Sequence, residues 1–118
     1  ARWPGVAAVI PARDEAATIA RVLEAHGSSA YPGPLSLVVV DDASRDGTGR
    51  IAREVAARSP RPVEVIGARE LPAGWSGKLW ALQAGLEALP RLAPDAEWVL
   101  LTDASSPMPS ARSSQWPR

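Results

Sequence analysis

The chain contains no cysteine, which excludes a disulfide framework, a thiolate nucleophile and a thiolate metal site. Its single histidine, His26, rules out a metal site built from several imidazoles and leaves carboxylate sites open. There is no excess of charge of either sign: 13 Lys and Arg balance 13 Asp and Glu. That balance argues against a nucleic-acid binder, whose footprint is a basic excess. No apolar run approaches the roughly 20 residues that span a bilayer, and no leader of basic and apolar residues opens the chain. The first residue is Ala1 rather than Met, so further sequence is expected upstream.

What is present is ordinary globular material. With 118 residues, 46% of them hydrophobic, the chain is long enough for one domain with a modest core. Strand-like and helix-like patterns alternate. Residues 6–10 form an apolar run closed by Pro11, and residues 35–40 form a second. Residues 63–66 and 98–101 are expected as two further strands. Three helices are expected between them. Over 15–26, Ile19, Val22 and Leu23 face inward and Gly27 terminates the helix. Over 48–58 the inward residues are Ile51 and Val55. Over 76–89 the apolar stripe is Leu79, Leu82, Leu86 and Leu89, and Pro90 ends the helix. Strands separated by helices imply right-handed βαβ units. The expected fold is therefore α/β: a Rossmann-like, open, mostly parallel sheet in three layers. Residues 105–118 are rich in Ser, Pro and Arg without any period, and a disordered tail is expected there.

In an open parallel sheet, ligands bind beyond the carboxyl ends of the strands. The residues at those positions are strongly charged. Arg13, Asp14 and Glu15 follow the first strand, and Asp41, Asp42, Ser44, Arg45 and Asp46 the second. Ser76, Gly77 and Lys78 open the third helix, and Asp103 follows the fourth strand. Carboxylates gathered on one rim repel, by about 1 kcal/mol per pair at 4 Å in water. A divalent cation, nucleobase N–H donors or ribose hydroxyls would compensate them. Arg13, Arg45 and Lys78 add cations to the same rim, and the mixture suits a nucleoside diphosphate with a metal ion. Some of these residues have simpler explanations. Asp14 and Asp46 fit equally well as helix N-caps, although one cap cannot explain both Asp41 and Asp42. Lys78 stands in a first turn, where the helix dipole disfavours a cation, unless the two together hold an anion. His26, at a helix end, reads as a surface or capping residue, Trp80 as core, and Trp75 as a loop residue able to line a pocket.

The segments 9–15 (VIPARDE), 38–48 (VVVDDASRDGT) and 100–104 (LLTDA) resemble, in order and spacing, the nucleotide-binding half of family-2 glycosyltransferases of GT-A fold. Residues 71–82 (LPAGWSGKLWAL) look like the hopanoid-biosynthesis-associated branch. The resemblance covers residues 6–104, so 1–104 is expected to be a truncated GT-A half-domain. It implies a donor site of Pro11, Arg13, Glu15, Asp41, Asp42 and Lys78. Within it, Glu15 would lie near the ribose, Asp42 (with Asp41) would accept the base N–H, and Lys78 would lie near the diphosphate. It implies Asp103 as the first acid of a DxD motif for Mg²⁺ or Mn²⁺, a UDP- or GDP-sugar donor, a membrane-lipid acceptor, and a place on the cytoplasmic face of the membrane. The sequence departs from the pattern at Ser105, a weaker ligand than a carboxylate for a hard cation. The family's catalytic base falls beyond this chain, so no catalytic residue is assigned and an inactive fragment is expected. Relatives tend to read Ile-Ala-His-Ala-Pro after the DxD motif. Codons for that run, shifted by one base, give the SPMP of residues 106–109, so the tail is expected to be out of frame.

Two other readings compete. A signalling receiver domain also uses paired aspartates after a strand and a distant lysine, but its acid pair follows the first strand rather than the second. A non-functional truncated product would expose the edge of its last strand and self-associate.

Overall fold

The computed structural model describes residues 3–68 and 70–104; the tail expected over 105–118 lies outside the described residues. Four parallel strands, β1 (Gly5–Ala12), β2 (Leu35–Asp41), β3 (Val63–Gly67) and β4 (Ala96–Leu101), form one sheet in the order β3-β2-β1-β4. The helices are α1 (Ile19–Gly27), α2 (Thr48–Arg58) and α3 (Gly77–Leu92). The order is the Rossmann one, in which the strand sequence reverses between β1 and β4. Receiver domains use the order 2-1-3-4-5, so the topology removes that reading.

The pleat sorts the strand residues onto two faces. On β1, Val6, Ala8, Ile10 and Ala12 pack with Leu35, Leu37 and Val39 of β2 against Ile19 and Leu23 of α1 and Ala52 and Val55 of α2. Ala7 and Val9, with Val38 and Val40, face the other way onto Ala81, Ala84 and Leu89 of α3. The result is three layers. Strands apolar on both faces are what a sheet covered on both sides requires.

Four local expectations are corrected. Pro11 does not close β1 but lies within it, paired with Val40. Its missing N–H would point to the β4 side, where pairing has already ended at Val9–Leu101, so no ladder bond is lost. Helix α1 starts at Ile19 rather than residue 15; the amides of Glu15 and Ala16 bond to Thr48 at the start of α2 and to Asp46 before it. Pro90 does not end α3, which continues to Leu92; its missing N–H removes a bond only to the carbonyl one turn back, near the helix end.

The fourth correction concerns which face of α3 is buried. Its buried residues are Ala81, Ala84, Gly85, Ala88 and Leu89, with Leu82 partly buried, while Leu79 and Leu86 are exposed. The sheet presents branched Val9 and Val40 to this helix. A Cβ on Gly85 would collide with Val9 Cγ1 and approach Val40 Cγ2 to 3.1 Å. Only a small-residue face lets α3 sit this close.

Strand β4 is an edge strand, and Trp98, Val99 and Leu101 are exposed on it. Among the described residues, no helix is long and apolar enough to cross a membrane. His26 is not at the surface but fully buried, and among the described residues neither of its ring nitrogens has a hydrogen-bond partner. Burial lowers its pKa below the usual 6.5. Trp80 is half-buried rather than core and meets Trp75 edge-on at 5.2 Å.

Candidate functional site

The carboxyl ends of β1, β2 and β4 and the amino end of α3 surround one open cleft of about 410 Å³. Its walls include Pro11, Arg13 and Glu15 from the β1 end, Asp42 from the β2 end, Gly77 and Lys78 from α3, and Asp103 after β4. The cleft lies at the reversal of strand order, where backbone geometry opens a crevice between loops leaving in opposite directions.

Two cation–carboxylate pairs sit on its rim. Arg13 Nη1 is 3.8 Å from Asp42 Oδ2, and Lys78 Nζ is 3.4 Å from Asp103 Oδ2. Arg13, Lys78 and Asp103 are all about half exposed or more, while the Asp42 side chain is only 14% exposed. The Lys78–Asp103 pair, exposed on both sides, contributes roughly 0–1 kcal/mol, so an incoming anion can draw Lys78 away at little cost. Lys78 is also the chain's one lysine. Asp42 lies beneath the α3 start: a Cβ on Gly77 would come within 2.8 Å of Asp42 Oδ2. Glycine there keeps the first turn of α3 and its amides open to the cleft. Ser76 caps the helix, its hydroxyl accepting the Leu79 amide at 3.1 Å.

Asp41 is placed elsewhere. Its Oδ1 accepts the Ser44 amide at 3.1 Å, and its other oxygen faces α2, where a Cβ on Gly49 would meet it at 2.5 Å. Six of the seven site residues expected from the sequence therefore share the cleft and Asp41 does not. Arg45 is exposed on the neighbouring loop and is not among the lining residues.

Sequence reasoning missed what holds the rim in place. Asp14 and Asp46 are not the helix N-caps expected of them, since Thr18 and Gly47 hold those positions without a side-chain cap. Instead they clip the β1–α1 loop to the β2–α2 loop and the start of α2. The amides of Asp14, Glu15 and Ala16 donate in turn to Ser44 Oγ (2.9 Å), Thr48 Oγ1 (2.9 Å) and Asp46 Oδ2 (3.0 Å). In return, the Arg45 amide donates to Asp14 Oδ1 at 2.7 Å. Thr18 extends the fastening to the segment after β4, its hydroxyl lying 2.9 Å from the Ala104 carbonyl and 3.3 Å from Glu15 Oε2. The only trace of this in the sequence is the density of Ser, Asp and Thr over 44–48.

Residues 4–111 match the family described as glycosyltransferase like family 2. A search of curated proteins returns no match. Among solved structures, a mannosyltransferase from Pyrobaculum calidifontis in complex with GDP-Man and Mn²⁺ is 29% identical over 92% of this chain, with a TM-score of 0.69. Mannosyl-3-phosphoglycerate synthase from Rubrobacter xylanophilus is 29% identical over 87% of it, with a TM-score of 0.61. TarS of S. aureus in complex with UDP-GlcNAc, 21% identical over 86% of the chain with a TM-score of 0.61, shares the fold. This chain spans 29%, 31% and 26% of those proteins respectively. The sheet order, the cleft at its reversal point and the match over residues 4–111 together make this chain a member of the family-2-like glycosyltransferases, with a GT-A-type Rossmann-like fold.

Proposed function

We propose that this chain is the donor-binding part of an inverting glycosyltransferase that takes a UDP- or GDP-sugar and serves a lipid-type acceptor. The observation that carries the reading is the single cleft shared by Arg13, Glu15, Asp42, Lys78 and Asp103. In this reading the shielded Asp42 carboxylate accepts a base N–H and Glu15 lies toward the ribose. Lys78 and the first-turn amides of α3 receive the diphosphate. The solved relatives bound to GDP-Man and UDP-GlcNAc support a nucleotide-sugar donor.

The fit to a divalent metal is partial. Among the described residues, no group of three or more His, Cys, Asp or Glu could hold an ion. Asp103 offers one carboxylate, and Ser105 lies outside the described residues. Mg²⁺ is commonly held by one or two carboxylates together with substrate phosphates, so Asp103 suits an ion that arrives with the diphosphate rather than a resident one. Such an ion would neutralise charge on the departing nucleoside diphosphate. Asp103 would orient it, and Lys78, whose Nζ lies 3.4 Å from that carboxylate, would bind the same phosphates from beside it.

The acceptor hydroxyl would attack the anomeric carbon directly and invert it, with a carboxylate base that no residue of this chain is assigned to supply. The expected behaviour of the chain alone is therefore donor binding without turnover. Residues 71–82 support a place in the hopanoid-associated branch, acting at the cytoplasmic face of a membrane. The exposed apolar side chains of β4 support self-association through that edge.

Calorimetric titration with UDP and GDP, with and without Mn²⁺, tests the binding reading. Saturable one-site binding is expected, and heats of dilution alone with both nucleotides would refute it. Sustained sugar transfer by the isolated chain would overturn the prediction of inactivity.

A further inference from the structure

We propose that Asp46 and Thr48 are positioning residues. Neither lines the cleft, yet together they fix the backbone that presents Arg13 and Glu15 to a nucleotide. The inference rests on the donor-binding reading above.

Thr48 is fully buried. Its hydroxyl donates to Asp46 Oδ1 and accepts the Glu15 amide at 2.9 Å. A hydroxyl has one proton, so its direction is decided by the stronger acceptor. With the carboxylate taking that proton, a lone pair is left facing Glu15. The Thr48 amide also donates to Oδ1, at 3.1 Å, and the second carboxylate oxygen accepts the Ala16 amide at 3.0 Å. One exposed carboxylate thus organises three N–H groups and a hydroxyl across two loops. Bonds to an ionised acceptor arranged in series strengthen one another. The Thr48 hydroxyl first, and then the Ala16 amide, hold the Asp46 carboxyl below its usual pKa, so the clip stays charged at neutral pH.

The clip has strain to oppose. Asp14 has φ 52°, in the left-handed region that residues other than glycine seldom adopt. Its amide and its carboxylate are both engaged by the other loop. Ser44 and Arg45 hold Asp14 itself, while Thr48 and Asp46 hold the residues that follow it. Without the latter pair the strain at Asp14 is opposed on one side only, and the residues flanking it are Arg13 and Glu15.

The test compares Thr48→Val, which keeps the shape and removes the hydroxyl, with Thr48→Ser, which restores it. Both are measured by UDP and GDP titration with Mn²⁺, at a temperature where each variant is folded, and by amide hydrogen exchange. Thr48→Val is expected to weaken nucleotide binding roughly tenfold or more, with faster exchange confined to residues 14–16. Thr48→Ser is expected to return affinity to within about threefold of the parent. If Thr48→Val does not fold, the exposed-site variant Asp46→Asn decides, with the same loss expected. Parent-like affinity in a folded Thr48→Val or Asp46→Asn overturns the positioning role. Failure of the unmodified chain to bind either nucleotide overturns the functional reading and this inference with it, and the parent titration alone reveals that case.

Discussion

Asp41 and Asp42 are neighbours in sequence but face opposite sides of the sheet. The Asp42 carboxylate stands 3.8 Å from the Arg13 guanidinium beneath the start of α3, whereas Asp41 accepts the Ser44 amide at 3.1 Å on the side of α2. The alternation that sends Val39 into one core and Val40 into the other separates the two acids as well. Only one of them can meet a ligand in the cleft.

The two acids should therefore respond differently to the same substitution. Asp42→Asn is expected to weaken UDP or GDP binding by roughly 10- to 100-fold, the loss of one charge-assisted hydrogen bond. Asp41→Asn is expected to leave affinity within about threefold and to lower stability by about 1 kcal/mol, through the weakened turn bond to Ser44. Calorimetry and urea denaturation of both variants check the contrast.

Gly85 sets how closely α3 approaches the sheet. Ala is the better helix former by about 1 kcal/mol, but here its methyl would strike Val9 and crowd Val40. Overpacking costs about 1–3 kcal/mol, so Gly85→Ala is expected to be net destabilising in urea denaturation. Because α3 carries Gly77 and Lys78 into the cleft, nucleotide affinity should fall too.

Most of the architecture was legible because β1 and β2 are apolar runs and the segments between strands carry helical spacing of apolar residues, although Pro90 did not mark the end of α3. The buried face of α3 was not legible. Its leucines at 79, 82, 86 and 89 form the more conspicuous pattern, yet the bulk of Val9 and Val40 selects the small residues at 81, 84, 85 and 88 instead. For the cleft, the strand-end rule placed Glu15, Lys78 and Asp103 together because parallel strands end on one side. The rule could not separate Asp41 from Asp42 without knowing where β2 stops. The Thr48–Glu15 bond joins residues 33 apart, and no local pattern announces it.

His26 should make stability depend on acidity. Burial lowers its pKa, so the unfolded chain binds the proton more readily than the folded one. Its contribution is fully present above about pH 6.5 and is lost as pH falls from there through the folded pKa, with a slope of at most about 1.4 kcal/mol per unit. His26→Leu is expected to be less steep than the parent in denaturation between about pH 7 and pH 5. It should also be more stable at neutral pH by about 1 kcal/mol, since it removes two buried polar atoms that lack partners among the described residues. Parallel curves for the two proteins would contradict this.

The uncovered β4 side chains predict concentration-dependent association. Replacing Trp98, 52% exposed on the edge strand, with Lys places a charge where another strand would have to dock. Sedimentation velocity should show the parent shifting toward larger species as concentration rises and Trp98→Lys shifting less. A parent that stays monomeric throughout would remove the case for self-association.

The most direct test of the cleft is to titrate the ¹⁵N-labelled chain with UDP and with GDP and follow every backbone amide. The predicted shifts cluster at Arg13, Glu15, Asp42, Gly77, Lys78 and Asp103, while the amino ends of the strands around Leu35, Ser36 and Asp95 stay still. Shifts centred on that opposite end, or none with either nucleotide, would contradict the donor-site assignment.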